Sequence, residues 1–187
     1  ISRSLDSLLA QTHKDLEIIV VDDGSSDNIR EVLGGYCAQY PNIKAIHKEN
    51  GGVTSARLRG IAEATGDWIG FMDGDDYVEP QMYARLLENA LAADADISHC
   101  GHQIRFFDGR IEYVHKSQQL RVQDKKTGLW ELLDNREVSL SLCTKLYRRE
   151  LFRGIEDWTD TTIKYNEDLL MNYYLFGKAE KSVFEGV

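Results

Sequence analysis

At 187 residues the chain can bury a substantial core in one domain, and its 31 acidic against 22 basic side chains leave a net charge of -9. Basic residues form no run longer than a pair, which argues against binding a nucleic-acid backbone, and no apolar stretch approaches the roughly 20 residues that cross a bilayer. Cys37, Cys100 and Cys143 are odd in number, widely spaced and outside any CxxC pair, the usage of a reducing compartment.

The chain opens inside a predicted helix, with Ser4 as its cap and Leu5, Leu8 and Leu9 on one face. A helix that opens an α/β unit follows a strand, so a first strand is expected to be missing ahead of Ile1. Leu16 to Asp23 is an apolar, β-branched run, the pattern of a parallel strand covered on both faces. Its end, Asp22 and Asp23 followed by GSSD, is a turn. A helix follows over about Asn28 to Tyr40, capped by Asp27 and closed by Pro41. Ile43 to His47 is a short strand, Asn50-Gly51-Gly52 a turn, and Val53 to Thr65 a helix with Arg57 near its start. Gly66-Asp67 closes that helix before the apolar strand from Trp68. The alternation predicts an α/β fold with a Rossmann-like, mostly parallel sheet flanked by helices, whose ligands bind beyond the carboxyl ends of the strands.

Both acid clusters fall at such ends: Asp22 and Asp23 after one strand, Asp73, Asp75 and Asp76 after another. Extended residues two apart point the same way, so Asp73 and Asp75 are expected to hold a divalent cation jointly, with Asp76 beside them. Oxygen ligands suit manganese or magnesium, and the alternative is a solvated acidic turn. Pro80 starts a helix to about Leu91, and Ala95 to Ile104 reads as one strand. Phe106 to Ile111 is a hairpin turn before Glu112 to His115, and Lys116 to Lys126 is a loop or an edge. Thr127 to Leu133 is a short helix, Val138 to Tyr147 is β-prone in patches, and Arg148 to Phe152 is one helical turn. Asn166 caps a last helix, with Leu169, Tyr173 and Phe176 toward the core, and Lys181 to Glu185 is a strand. Composition shifts near Phe106, which divides the chain into an α/β core over 1–105 and a more mixed continuation over 106–187.

Four segments, IIVVDDGSSDN from Ile18, NGGVTSARLRGIAEATGDWIGFMDGDD from Asn50, CTKLYRRELF from Cys143 and NEDLLM from Asn166, resemble the family 2 glycosyltransferases of the GT-A fold. The chain departs from that pattern at Leu58, where the family has asparagine after the arginine. The family's opening strand and its QxxRW motif are also absent, and lack of the latter points to enzymes that add one or a few sugars.

The resemblance implies inverting, metal-assisted transfer from a nucleotide-sugar donor, a UDP-sugar above all, to a glycan or lipid-linked saccharide. Polysaccharide biosynthesis for the cell envelope, in the cytoplasm or at the inner face of the membrane, is the setting it implies, with any membrane-associating segment outside this chain. It assigns Asp22 and Asp23 to the nucleobase, Asp73 to ribose and metal, Asp75 to the metal with Asp76 in support, and Asp168 to the role of base. Glu167 is the alternative base, and either acid can instead cap its helix. Arg57 and Lys145 face diphosphate or acceptor on this reading, or are surface or packing residues with no chemistry. A non-catalytic nucleotide-sugar or glycan-binding module is the second reading. A phosphoacceptor domain is disfavoured, because the chain lacks the Ser/Thr and Lys strand pattern such a domain needs.

Overall fold

Four consecutive β-branched residues from Ile18 build β1 (Ile18–Asp22), which pairs in parallel with β2 (Ile43–His47). The crossover is α2 (Ile29–Gln39), and Leu5 of α1 (Ser2–Leu9) joins Ile18, Leu33 and Ile43 in one buried cluster. The computed structural model describes residues 1–115 and 119–186, so Lys116 to Gln118 of the expected loop or edge lie outside the described residues.

A second sheet carries the larger core. Its strand order is β3 (Trp68–Gly70), β8 (Lys145–Arg148), β4 (Ile97–Cys100), β9 (Lys181–Glu185) and β7 (Arg121–Asp124). Ile97, Leu132, Leu142, Tyr147, Leu175 and Phe176 fill the layer between this sheet and the helices α5 (Lys125–Asp134) and α6 (Glu167–Lys178). On the other face α4 (Met82–Ala93) buries Tyr83 and Leu86 against Leu146. The result is an α/β fold with sheets flanked by helices, as expected. The strand directions are a correction: β4 pairs with β9 in parallel, but β3 with β8, β4 with β8 and β7 with β9 are antiparallel. Residues beyond 106 thread back into the sheet, and β8 enters between two strands of the N-terminal half, which a reading of successive βα units does not foresee.

Other expectations shift for local reasons. The strand expected over Ala95 to Ile104 breaks at Gly101 into β4 and β5 (His102–Arg105), and β5 forms its own hairpin with β6 (Ile111–Val114). The hairpin turn is as expected, with Phe106 N donating to Arg110 O at 2.9 Å and Gly109 at φ +87°. Of Val138 to Tyr147 only the end is strand, because a 3-10 turn occupies Leu142–Thr144. Ser4 does not cap α1: it is buried within the helix, and its Oγ donates to Gly74 O at 2.7 Å. Gln11, fully buried, accepts from Tyr83 N at 3.1 Å and donates to Glu79 O at 2.8 Å. These bonds dock α1 onto the Gly74 to Tyr83 segment.

The remaining helix, α3 (Val53–Glu63), lies over a groove of about 300 Å³ between β1 and β3, lined by Ile19, Val21, Ile69 and Gly60. Among the described residues β1 pairs only with β2, and β3 only with β8. Ile1 lies against Gly74, past the carboxyl end of β3. Among the described residues no helix is long and apolar enough to cross a membrane.

Candidate active site

The acidic motif is a turn rather than a strand. β3 stops at Gly70, where an added Cβ would lie 2.6 Å from the Tyr83 ring, so only glycine lets α4 pack this closely. Asp76 N then donates to Asp73 O at 3.1 Å, closing a β-turn. The two-residue alternation that would put Asp73 beside Asp75 does not operate in a turn, which instead brings its first and fourth residues together. One ligand atom each from Asp73, Asp76 and Cys143 lies within 4.8 Å of the others, a donor set able to hold a divalent cation. Burial and then the charges of Asp73 and Asp75 raise the Asp76 carboxyl above its ordinary range. Asp75 lines a neighbouring cavity, and its backbone carbonyl accepts from Arg3 at 2.7 Å.

Arg57 joins this turn to the far end of the sequence. Its side chain, 9% exposed, donates through Nη1 to Asp168 Oδ1 and through Nη2 to Asp73 Oδ1 at 3.4 Å. Glu167 Oε1 is 3.6 Å from the same Nη1. Burial alone would lower the guanidinium pKa, but Asp168 and Asp73 outweigh it and the net shift is upward. Asp168 Oδ2 accepts from Leu142 N at 3.0 Å, so both its oxygens are held. It stands in the first turn of α6, where a negative charge suits the helix dipole. Asn166 occupies the N-cap position as expected, but at φ +60° and without a side-chain cap.

Asp22 and Asp23 do different work. Asp22 is 6% exposed, accepts from Ser25 N at 2.9 Å, and has Oδ2 2.8 Å from His47 Nδ1. The hydrogen bonds from His47 and then Ser25 push its carboxyl down to about 2. Asp23 accepts from Gly51 N at 3.0 Å, Gly52 N at 2.7 Å and Lys48 Nζ at 2.5 Å. Burial opposes these bonds, yet the net effect lowers its pKa. Gly52 is the N-cap of α3, so Asp23 sits at the helix start that carries Arg57, about 8 Å further along the axis at 1.5 Å per residue.

Lys145 does not face a diphosphate. It is fully buried, and its Nζ donates to Ser139 O and Ser141 O at 2.6 Å each and to Thr144 Oγ1 at 3.1 Å. Burial pushes its pKa down to about 7. The ammonium therefore braces the turn whose Leu142 amide holds Asp168. Lys145→Met would leave two buried carbonyls without their donor and is expected to cost about 2–4 kcal/mol, read as a lower urea midpoint at unchanged slope.

Sequence reasoning missed Cys143 and the Leu142 amide. Cys143 opens CTKLYRRELF and Leu142 directly precedes it, and in that segment only Lys145 is singled out. Beside the turn opens a cavity of about 970 Å³ that includes Asp75, Asp76, Tyr77, Gln103 and Cys143. Arg3 and Arg105 lie 4.8 and 5.3 Å from the Tyr77 ring centroid. Its other charges are largely paired, Arg85 with Glu185 and Arg105 with Glu79.

The sequence profile of glycosyl transferase family 2 matches residues 1–155. The uncharacterized glycosyltransferase EpsJ of Bacillus subtilis is 38% identical over 183 residues, which are 97% of this chain and 53% of EpsJ. The chain thus spans about half the length of that curated relative. The crystal structure of S. aureus TarS 1-349 in complex with UDP covers the whole chain and 56% of its own at TM-score 0.79 and 21% identity. Its complex with UDP-GlcNAc covers 98% of this chain and 51% of its own at TM-score 0.79 and 22% identity. At that identity the likeness speaks for the fold.

Proposed function

We propose, from the premise that this chain belongs to glycosyl transferase family 2, that it is the donor-handling part of an inverting glycosyltransferase using a UDP-sugar. The observation that carries the reading is Arg57, which ties Asp73 of the acidic turn to Asp168 of α6 inside one cleft. TarS is the relative seen with UDP and with UDP-GlcNAc, which favours a uridine donor here.

In this reading the acceptor hydroxyl attacks the anomeric carbon as the bond to the diphosphate breaks, and Asp168 takes the hydroxyl proton. Arg57 and the Leu142 amide hold and aim the carboxylate, which retains lone pairs for the incoming proton. Asp73 and Asp76 would hold a manganese or magnesium ion, with Asp75 beside them on the same turn, and the ion when bound would neutralise charge on the leaving diphosphate. Asp23, at the start of α3, and Asp22 behind it shape the nucleobase end of the cleft. The adjoining cavity of about 970 Å³, with its charges mostly paired, would take a glycan or lipid-linked saccharide acceptor. The setting proposed is envelope polysaccharide synthesis in the cytoplasm or at the inner membrane face.

UDP release from a panel of UDP-sugars, with manganese and with chelator, tests this. Chelation and Asp76→Ala are each expected to lower release by about 100-fold, roughly the loss of several kcal/mol of charge stabilisation. Binding of UDP without turnover on any donor or acceptor, unaffected by changes at Asp168, would instead indicate a nucleotide-sugar-binding module.

A further inference from the structure

Asp73 and Asp76 share their corner with a sulfur. Cys143 is a free thiol carried by the 139–145 turn, and its Sγ lies within 4.8 Å of a carboxylate oxygen from each acid. The turn is fixed on both sides of the cysteine. Cys143 N donates to Ser141 Oγ at 3.1 Å, Leu142 N to Asp168 Oδ2 at 3.0 Å, and Lys145 Nζ to two carbonyls at 2.6 Å. The Asp76 carboxylate accepts no hydrogen bond among the described residues.

Metal–sulfur distances near 2.3 Å and metal–oxygen distances of about 2.0–2.2 Å let one ion span about 4.5 Å between opposite ligands. Side-chain rotations of a few tenths of an ångström would thus bring all three atoms onto one ion. We propose that Cys143 is a sulfur ligand of the divalent cation, completing a mixed site with Asp73 and Asp76. The inference rests on the metal-assisted reading above and adds a selectivity to it. Coordination forms a metal–sulfur bond and releases the thiol proton to solvent. Magnesium takes oxygen ligands and keeps its waters, whereas thiolate draws softer ions such as cobalt, zinc and cadmium. The site therefore ranks cadmium and cobalt above magnesium by more than an all-carboxylate motif would.

Cobalt titration of the protein in the presence of UDP tests this without turnover. The wild type is expected to develop a near-ultraviolet sulfur-to-cobalt charge-transfer band, and Cys143→Ser to bind cobalt without it. Cadmium affinity, from calorimetry, is expected to fall at least tenfold in Cys143→Ser, with magnesium affinity changing less than twofold. Cys143→Asp, which returns an oxygen ligand, is expected to shift preference toward magnesium. Bound cobalt with no charge-transfer band in the wild type, or equal losses of cadmium and magnesium affinity in the serine variant, would overturn the sulfur ligand and leave the metal-assisted reading standing. If no divalent ion binds the wild type with UDP, both fall together.

Discussion

Asp168→Asn is expected to lower kcat about 10³-fold, within the span that a positioned general base contributes, while leaving UDP affinity within about threefold. The amide has nearly the volume of the carboxylate and can still accept from Arg57 or from the Leu142 amide, so the cleft keeps its shape. What it lacks is the basic oxygen. Loss confined to kcat is the signature of an interaction made as the proton moves, whereas a loss in KM alone would mean that Asp168 only helps to hold donor or acceptor. Glu167 is the competing assignment, its Oε1 3.6 Å from Arg57 Nη1. If Glu167→Gln gives the large drop and Asp168→Asn less than tenfold, the base is Glu167. UDP release under donor saturation, with calorimetry of UDP, separates these outcomes.

What could be read from the sequence was what is local. β1 follows from a β-branched run, β2 and β9 from short patches of strand formers, and the hairpin turn from Asp108-Gly109, because strand and turn propensities act over a few residues. The acids at strand ends could be named for the same reason. Their grouping could not: Asp73 meets Asp76 instead of Asp75 because the backbone turns at that point, and the strand pattern ran on past its end. Of the core face expected for α6, Phe176 is buried and Tyr173 is not, for a different reason. Asn172 is fully buried, accepting from Tyr147 Oη at 2.6 Å and donating to Leu140 O at 2.7 Å, while Tyr173 is 49% exposed. A hydrophobic count rejects a buried asparagine whose partners come from distant segments. Lys145, expected to face diphosphate or acceptor or else to sit at the surface or pack, is held by three oxygens in the interior, partners that no local pattern announces. The contact between Arg57 and Asp168 crosses 111 residues and exists only through the packing of α3 and α6 around the inserted strand β8.

That contact is where a substitution should do the widest damage. In Arg57→Ala, Asp73 and Asp168 would share a cleft without the cation between them. Removing one partner of a fully buried pair costs about 3–5 kcal/mol. Asp168 is 22% and Asp73 50% exposed, so solvent screening should reduce this to about 2 kcal/mol of stability. The effect on activity should be larger, about 10²–10³ in kcat/KM, because a base that is no longer aimed loses its advantage to small displacements. Arg57→Lys restores the charge but not the planar fork that reaches two carboxylates, so it should recover most of the stability and little of the rate. A double-mutant cycle with Asp168→Asn carries the decision. If the two residues act as a unit, Arg57→Ala in the Asp168→Asn background should cost less than a tenth of its effect in the wild type. Additive losses would mean that Arg57 serves the diphosphate on its own account, and that its hold on Asp168 is packing without consequence for the proton.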